Sequence, residues 1–414
     1  MSSITAPASR KIVFVNRYFF PDQSATSQML SDLAFGLADR GFLVHVVCSR
    51  QRYESADANL APRERVRGVT VHRVWTTRFG RDRLAGRALD YASFYVSSAA
   101  RLLLLVSRGD TLVAETDPPL ISLVAAAVAV LKRARLVNWL HDVFPEIATL
   151  LGANPLPAWV DGGLRGLRDL SLRSAAVNVV LGVRMRDLLA RRVAPAKLCI
   201  IENWAAAEAA SEERAPSELR ARLGLTGKFV VGYSGNLGRA HEFATLLQAA
   251  SLCRADPDIV FLMIGAGAGM AALQQAVLER GLANFQFLPL QPRASLSDTL
   301  AAADVHWLSL LPMLEGLIVP SKLYGILASG RPVLFIGDPD GEVARVIDAA
   351  GAGLGVAIGQ AAELARHIAE LKSDPHRRAT LSENALRLYR ERYTGQRALE
   401  HWTRLLANQT GDPC

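Results

Sequence analysis

Two kinds of apolar pattern alternate along this chain. Short unbroken runs, KIVFVNRYF at 11–19 and then LVHVVCS, TVHRVW, TLVAET, ARLVNWLHD and AVNVVLG, have the length of strands buried on both faces. Between several of them lie longer segments with apolar residues at helical spacing, such as QMLSDLAFGLADRG, which stops at a glycine. Strands alternating with helices predict a parallel sheet covered on both sides. At 200–218 the sequence IIENWAAAEAASEERAPSE passes from a strand end to alanines, acids and a proline, which marks a domain boundary. The pattern then restarts with KFVVGYSGNLG at 228–238, DIVFLMIGAGAG at 258–269, FQFLPL at 285–290, ADVHWLSLL at 303–311 and RPVLFIG at 331–337. The closing stretch is helical, with a break at Asp374-Pro375. The expected architecture is therefore α/β, with two successive domains over 1–205 and 206–385 and C-terminal helices over 386–414.

Composition narrows the class. A chain of 414 residues has room for two or more cores, and 50% apolar with 21% charged residues fits a soluble globular protein. PLISLVAAAVAVLKR at 119–133 is too short to cross a bilayer and is expected as a buried helix. The first twenty residues lack the long apolar region of a signal peptide, so the chain is expected in the cytoplasm. Cys48, Cys199, Cys253 and Cys414 show no paired or metal-like spacing, and neither a disulfide nor a zinc site is expected.

Charge adds an asymmetry. Residues 1–200 hold 27 Lys and Arg against 16 Asp and Glu, a balance of +11, whereas 201–414 hold 20 against 23, a balance of −3. In 73–109 arginines mix with aromatic residues and leucines, a pattern that fits either an anionic lipid surface or a solvated face beside a buried helix. No nucleic-acid recognition module or aromatic-basic repeat is present, and nucleic acid is not an expected partner.

Ligands of open parallel sheets collect at the carboxyl ends of the strands, so polar residues in those loops are the candidates for chemistry. EGLIVPSKLYGILASGRPVLFIG at 315–337 interrupts an apolar stretch with Pro320, Ser321 and Lys322. Ser321 is placed to cap a helix, and Lys322 then falls in its first turn, where a cation is unfavourable unless an anion joins it. GYSGNLGRAHEF follows a strand and opens a helix: Gly235 and Gly238 allow close backbone approach, while Asn236, Arg239 and His241 add donors, as in a diphosphate cradle or a tight turn. IGAGAG at 264–269, with Gly265, fits contact with a base or ribose or a simple turn, but does not complete the dinucleotide-binding glycine pattern. His141 and Asp142 end another strand, Glu315 could accept hydrogen bonds from a ribose, and Ser24, Ala25 and Thr26 open the first helix.

Taken in order, YFFPD, TDPPLISLVAAAVA, LHDVFPE, IIENW, GYSGNLGRAHEF and EGLIVPSKLYGILASGRPVL resemble the retaining family 4 glycosyltransferases of GT-B fold, and most of all the bacterial enzymes of colanic acid, O-antigen and capsule assembly. The resemblance implies two Rossmann-like domains facing across a cleft, with the final helices returning to the first domain. It implies a transferase moving a sugar from a nucleotide diphosphate sugar, with UDP the expected nucleotide, to a lipid-linked polyprenyl diphosphate saccharide. No metal or other cofactor is expected, and the enzyme is expected on the inner face of the bacterial inner membrane, held through its basic N-terminal domain. Residue by residue, Asn236 and His241 stand where the family usually has the arginine and lysine that hold the diphosphate, and Lys322 with Ser321 is expected to replace their charge and donors. His141 matches the histidine that contacts the donor sugar, so His141, Lys322 and Asn236 are the expected catalytic residues. Gly235, Arg239, Gly265, Pro289, Glu315 and Leu323 complete the expected donor site, in which the backbone of Gly316, Leu317 and Ile318 reads the sugar hydroxyls. Gln23, Ser24 and Ala25 take the place of the phosphate loop of the first domain, where Gln23-Ser24 replaces the usual Gly-Gly. The second glutamate of the family's E-x7-E motif is Gly325 here. Two alternatives stay open: a nucleotide-sugar epimerase of the same fold, and a non-catalytic nucleotide-sugar-binding subunit.

Overall fold

The computed structural model describes residues 10–53, 60–80, 84–152, 157–210 and 217–408. The chain's first residues, part of the expected linker and Cys414 lie outside the described residues. The chain divides into two compact units, one of Met1–Glu202 with Gln396–Cys414 and one of Asn203–Gly395. Of the closing helices only the last belongs to the first unit, because Pro375–Arg392 stays with the second.

The first unit is built on β1 (Lys11–Val15), β2 (Leu43–Ser49), β3 (Arg63–Val66), β4 (Val69–Val74), β5 (Thr111–Ala114), β6 (Arg135–Trp139), β7 (Val177–Val180) and β8 (Leu198–Ile200). They pair in the order β3-β4-β2-β1-β5-β6-β7-β8, all parallel except the β3–β4 hairpin at one edge. Phe94 and Leu102 of the helix Leu84–Leu105, with Ile121 and Ala125 of the helix Ile121–Lys132, pack against Val13, Val15 and Leu112. The latter helix is not buried all round as expected: Val130 and Leu131 near its end are 70% and 71% exposed. It covers the sheet with one stripe only.

In the second unit β9 (Phe229–Asn236), β10 (Ile259–Ala266), β11 (Phe285–Leu288), β12 (Val305–Ser309), β13 (Val333–Ile336) and β14 (Gly353–Val356) form a fully parallel sheet in the order β11-β10-β9-β12-β13-β14. The helices Ala244–Leu252, Ala268–Glu279 and Ala361–Ser373 cover one face through Leu246, Leu273 and Leu364. Leu219, Leu225, Ala302 and Ala303 cover the other. Asp374 caps the helix Pro375–Arg392 by accepting the Arg377 N–H at 2.9 Å, at the expected break. Among the described residues Cys48 and Cys253 are free and buried.

The helix Gly395–Ala407 is anchored on the first unit by one large side chain and two arginines. Trp402 is fully buried with its ring 4.8 Å from that of Trp139 on β6. Arg40 donates to the Thr403 hydroxyl at 2.7 Å, and Arg135 donates to the Leu405 carbonyl at 2.9 Å. Truncating a buried tryptophan costs about 3–5 kcal/mol. Trp402→Ala is therefore expected to lower the unfolding free energy of the first unit by about that amount in urea titrations; an unchanged midpoint would show that the helix is not held by this side chain.

Candidate functional site

Reversal of strand order in an open parallel sheet opens a gap between the neighbouring loops. In the second unit that reversal lies between β9 and β12. Burial along β9 and β10 is complete until their carboxyl ends, where Gly235, Asn236, Gly265 and Ala266 come to the surface. The strand ends crowd together. Gly265 adopts φ +146°, and a Cβ there would sit 1.9 Å from the Gly235 carbonyl oxygen, so no other residue fits.

The loop after β9 is tied across the reversal to β12. Glu242 donates its N–H to the Ser309 hydroxyl at 3.1 Å, and Leu311 donates to the Ala240 carbonyl at 3.0 Å. His241 donates from Nδ1 to the Ser309 carbonyl at 2.6 Å, which fixes the hydrogen on that nitrogen. Its Nε2 then accepts from the Lys322 ammonium at 3.3 Å. Burial first and the Lys322 charge second push the His241 imidazole down to about 4, so the ring is neutral at pH 7. Lys322 is itself pushed down to about 8 by burial. Its Nζ lies 5.5 Å from the Tyr233 ring centroid, and a Cβ on Gly235 would stand 3.0 Å from its Cε. The ammonium thus touches a neutral imidazole and an aromatic face, and no carboxylate pairs with it among the described residues. A charge held this way favours an incoming anion.

The other expected donor-site residues lie along the same carboxyl edge. Asn236 and Arg239 are exposed beside His241, and Pro289 is exposed just beyond β11. Ser321 precedes the seven-residue helix Lys322–Ala328 but makes no capping hydrogen bond, contrary to expectation, because its own backbone is already helical at φ −61°, ψ −21°. Leu323 is buried behind Lys322. Three residues differ from what the sequence suggests. Glu315 accepts the Glu342 N–H at 3.0 Å, at the start of the helix Glu342–Ala350, so one of its oxygens serves the fold. Leu317 and Ile318 both donate their N–H groups to the Leu314 carbonyl, at 3.0 and 3.4 Å, so these two donors are engaged within the loop; Gly316 permits that turn with φ +76°.

In the first unit the order reverses between β1 and β5. Gln23, Ser24 and Ala25 follow β1, and the helix Ala25–Asp39 begins there as expected. Asp22, which sequence reasoning passed over, organises this loop: its carboxylate accepts the Ser24 N–H at 2.8 Å, the Ser24 hydroxyl at 2.5 Å and the Tyr53 N–H. His141 follows β6 and sets Nε2 3.4 Å from Glu115 Oε1 at the end of β5. Glu115 was also passed over. A carboxylate closing an otherwise apolar strand was the available signal.

Comparison with known proteins accords with this geometry. The model for group 1 glycosyl transferases matches residues 217–388, and that for the glycosyl transferase 4-like domain matches 25–204. The chain belongs to the glycosyltransferase family that joins these two domains in a GT-B fold. It is 29% identical over 298 residues to "Probable glycosyltransferase WbjE" of Pseudomonas aeruginosa, covering 71% of this chain and 74% of that protein. It is 28% identical over 230 residues to WcaI of Escherichia coli (strain K12), provisionally named a colanic acid biosynthesis glycosyl transferase, covering 53% and 56%. The crystal structure of Anabaena HepE in complex with UDP-glucose matches with a TM-score of 0.71 and 17% identity, over 95% of this chain and 98% of that one.

Lys322 carries an internal test of its burial. Its folded value of about 8 lies below the ordinary 10.5, so the folded chain binds fewer protons than the unfolded chain between these values and stability rises with pH across that window. Below it the penalty of the buried charge is complete. Lys322→Met is expected to raise the melting temperature of the ligand-free protein at pH 7 by about 2–4 °C, with the gain shrinking as the pH rises from about 8 towards 10.5. A lower melting temperature would show that the ammonium stabilises the fold.

Proposed function

We propose that this glycosyltransferase moves a sugar, with retention of anomeric configuration, from a UDP-sugar to a lipid-linked polyprenyl diphosphate saccharide during assembly of a bacterial surface polysaccharide. The observation that carries the proposal is the Lys322 ammonium, 3.3 Å from a neutral His241 whose tautomer is fixed by Ser309, beside glycine backbone at the strand reversal. The names of WcaI and of the UDP-glucose complex of HepE support the polysaccharide and the nucleotide. Lys322 and His241 hold the diphosphate, with Asn236, Arg239 and Ser321 as further donors. Gly265, Pro289 and Leu323 border the nucleoside, Glu315 shapes the ribose side of the site by holding the Glu342 N–H, and Gly316 faces the sugar. His141 contacts the donor sugar, and Gln23, Ser24 and Ala25 approach the phosphate from the loop after β1.

The reaction breaks the bond from the anomeric carbon to the diphosphate and forms one to the acceptor oxygen on the same face. The acceptor proton passes to the departing phosphate oxygen. Lys322 stabilises the charge that develops there, so the step calls for position and charge rather than for a metal or a protein nucleophile.

Thermal stabilisation by UDP, GDP, ADP, CMP and dTDP, with and without sugars, is expected to single out UDP and its sugar conjugates. Lys322→Ala is expected to fold, to lose that shift and to slow transfer by about 100-fold or more. Near wild-type turnover in this variant would take Lys322 out of the chemistry.

The lipid-linked acceptor brings the enzyme to the inner face of the inner membrane. Leu89, Val96 and Leu103 recur every seven residues along the helix Leu84–Leu105 and are 52%, 71% and 36% exposed, with Leu104 at 83%. Arg78 is exposed between the exposed Trp75 and Phe79. No described helix is long and apolar enough to cross a membrane, and the attachment proposed here is peripheral, through these exposed side chains. Flotation with vesicles containing phosphatidylglycerol is expected to retain the protein and to lose Leu104→Asp; equal recovery with neutral vesicles and with the variant would contradict this attachment.

A further inference from the structure

Glu115 stands at the end of β5 with 1% of its surface exposed. Among the described residues no lysine or arginine pairs with it, and its Oε2 is buried without a hydrogen-bond partner. Among the described residues the one polar contact of its side chain is His141 Nε2, at 3.4 Å from Oε1. His141 is held on a second side by Trp139, whose ring lies 4.7 Å away at 40°. Trp139 is backed in turn by Trp402 of the final helix. Only about 10% of the His141 side chain is exposed, and its Nδ1 makes no hydrogen bond among the described residues.

Two protonation levels are open to this pair. With a carboxylate and a neutral imidazole, Nε2–H donates to Glu115, Nδ1 is bare, and the pair carries a net negative charge inside the protein. With one more proton the pair is neutral overall. That proton then resides either on the carboxyl, donating to Nε2, or on the imidazole. In both cases the second hydrogen is on Nδ1. Burial penalises net charge and so favours the neutral pair. The surroundings act in the same direction: burial pushes the Glu115 carboxyl up, His141 is the group that opposes this, and the nearby Asp117 raises it further. Asp142, adjacent to His141 and hydrogen-bonded to the Thr116 side chain, is likewise pushed up by burial.

We propose that Glu115 is a positioning residue that keeps a hydrogen on His141 Nδ1, so that His141 meets its substrate oxygen as a hydrogen-bond donor and not as a base. What Nδ1 contacts, a hydroxyl or ring oxygen of the transferred sugar, rests on the transferase reading above; the protonation of the ring does not.

The test is a nitrogen-15 spectrum of histidine-labelled full-length protein, with His141 assigned by its loss in His141→Gln. At pH 7 the wild-type ring is expected to show a protonated Nδ1. In Glu115→Leu, whose side chain offers Nε2 neither a donor nor an acceptor, the Nδ1–H signal at pH 7 is expected to weaken by about twofold or more. A bare Nδ1 in the wild type overturns the proposal even if the variant fails to fold, and an unchanged Nδ1–H signal in the variant overturns it as well. Turnover supplies the second readout: Glu115→Leu is expected to lower kcat by about tenfold or more while leaving UDP binding unchanged. Wild-type transfer by His141→Ala would remove His141 from the transferase reading, and the spectrum would still decide the role of Glu115.

Discussion

A parallel strand pair can be closed only by a crossover that passes over the sheet and returns to the same edge, so every loop following a strand opens at one end of the unit. Both sheets obey this constraint, apart from the β3–β4 hairpin. Their strands are apolar because helices cover both faces, and the polar residues of each unit are consequently gathered where the strands finish. Gly235, Gly265, His241 and Lys322 lie more than fifty residues apart at their extremes and meet because β9, β10 and β12 end side by side.

Each unit places a histidine and one ionisable partner at such an edge, and the pairs have opposite sense. In the second unit the partner is a lysine, and the histidine is fixed as an acceptor toward it by the Ser309 carbonyl. In the first the partner is a buried glutamate, and the other nitrogen of the histidine is unengaged among the described residues. Burial makes charge costly at both, lowering Lys322 and raising Glu115. Such groups weaken a fold that has no ligand, and an anion near the lysine or an oxygen near the imidazole returns part of that energy. Under the proposed function, stability and activity therefore pull in opposite directions at Lys322.

Much of this was legible from residue pattern. The strand runs at 11–19, 228–238 and 258–269 fall where the strands are, because a doubly covered strand has few polar positions to obscure it. The β3 segment RERV and the β14 segment GLGV were not evident: one is a polar edge, and the other depends on Gly353, where a Cβ would stand 2.2 Å from the Val333 carbonyl oxygen. Lys322 stood out because an ammonium interrupts an apolar stretch. Its approach to His241 could not be read, since 81 residues separate them and only the strand order joins them. Glu315 shows the reverse: its position suggested a ribose ligand, whereas the fold uses one oxygen to receive the N–H of Glu342. Hydrogen bonds made by a loop to a distant helix leave no periodic trace in the sequence.

The most direct test of a diphosphate held by Lys322 is the pH dependence of UDP binding, measured by calorimetry against uridine between pH 7 and 9.5. Lys322 releases its proton near pH 8 in the free protein, so UDP affinity is predicted to fall about tenfold across this range while uridine affinity stays constant. Equal UDP affinity at both ends, or the same fall for uridine, would contradict a lysine-held diphosphate.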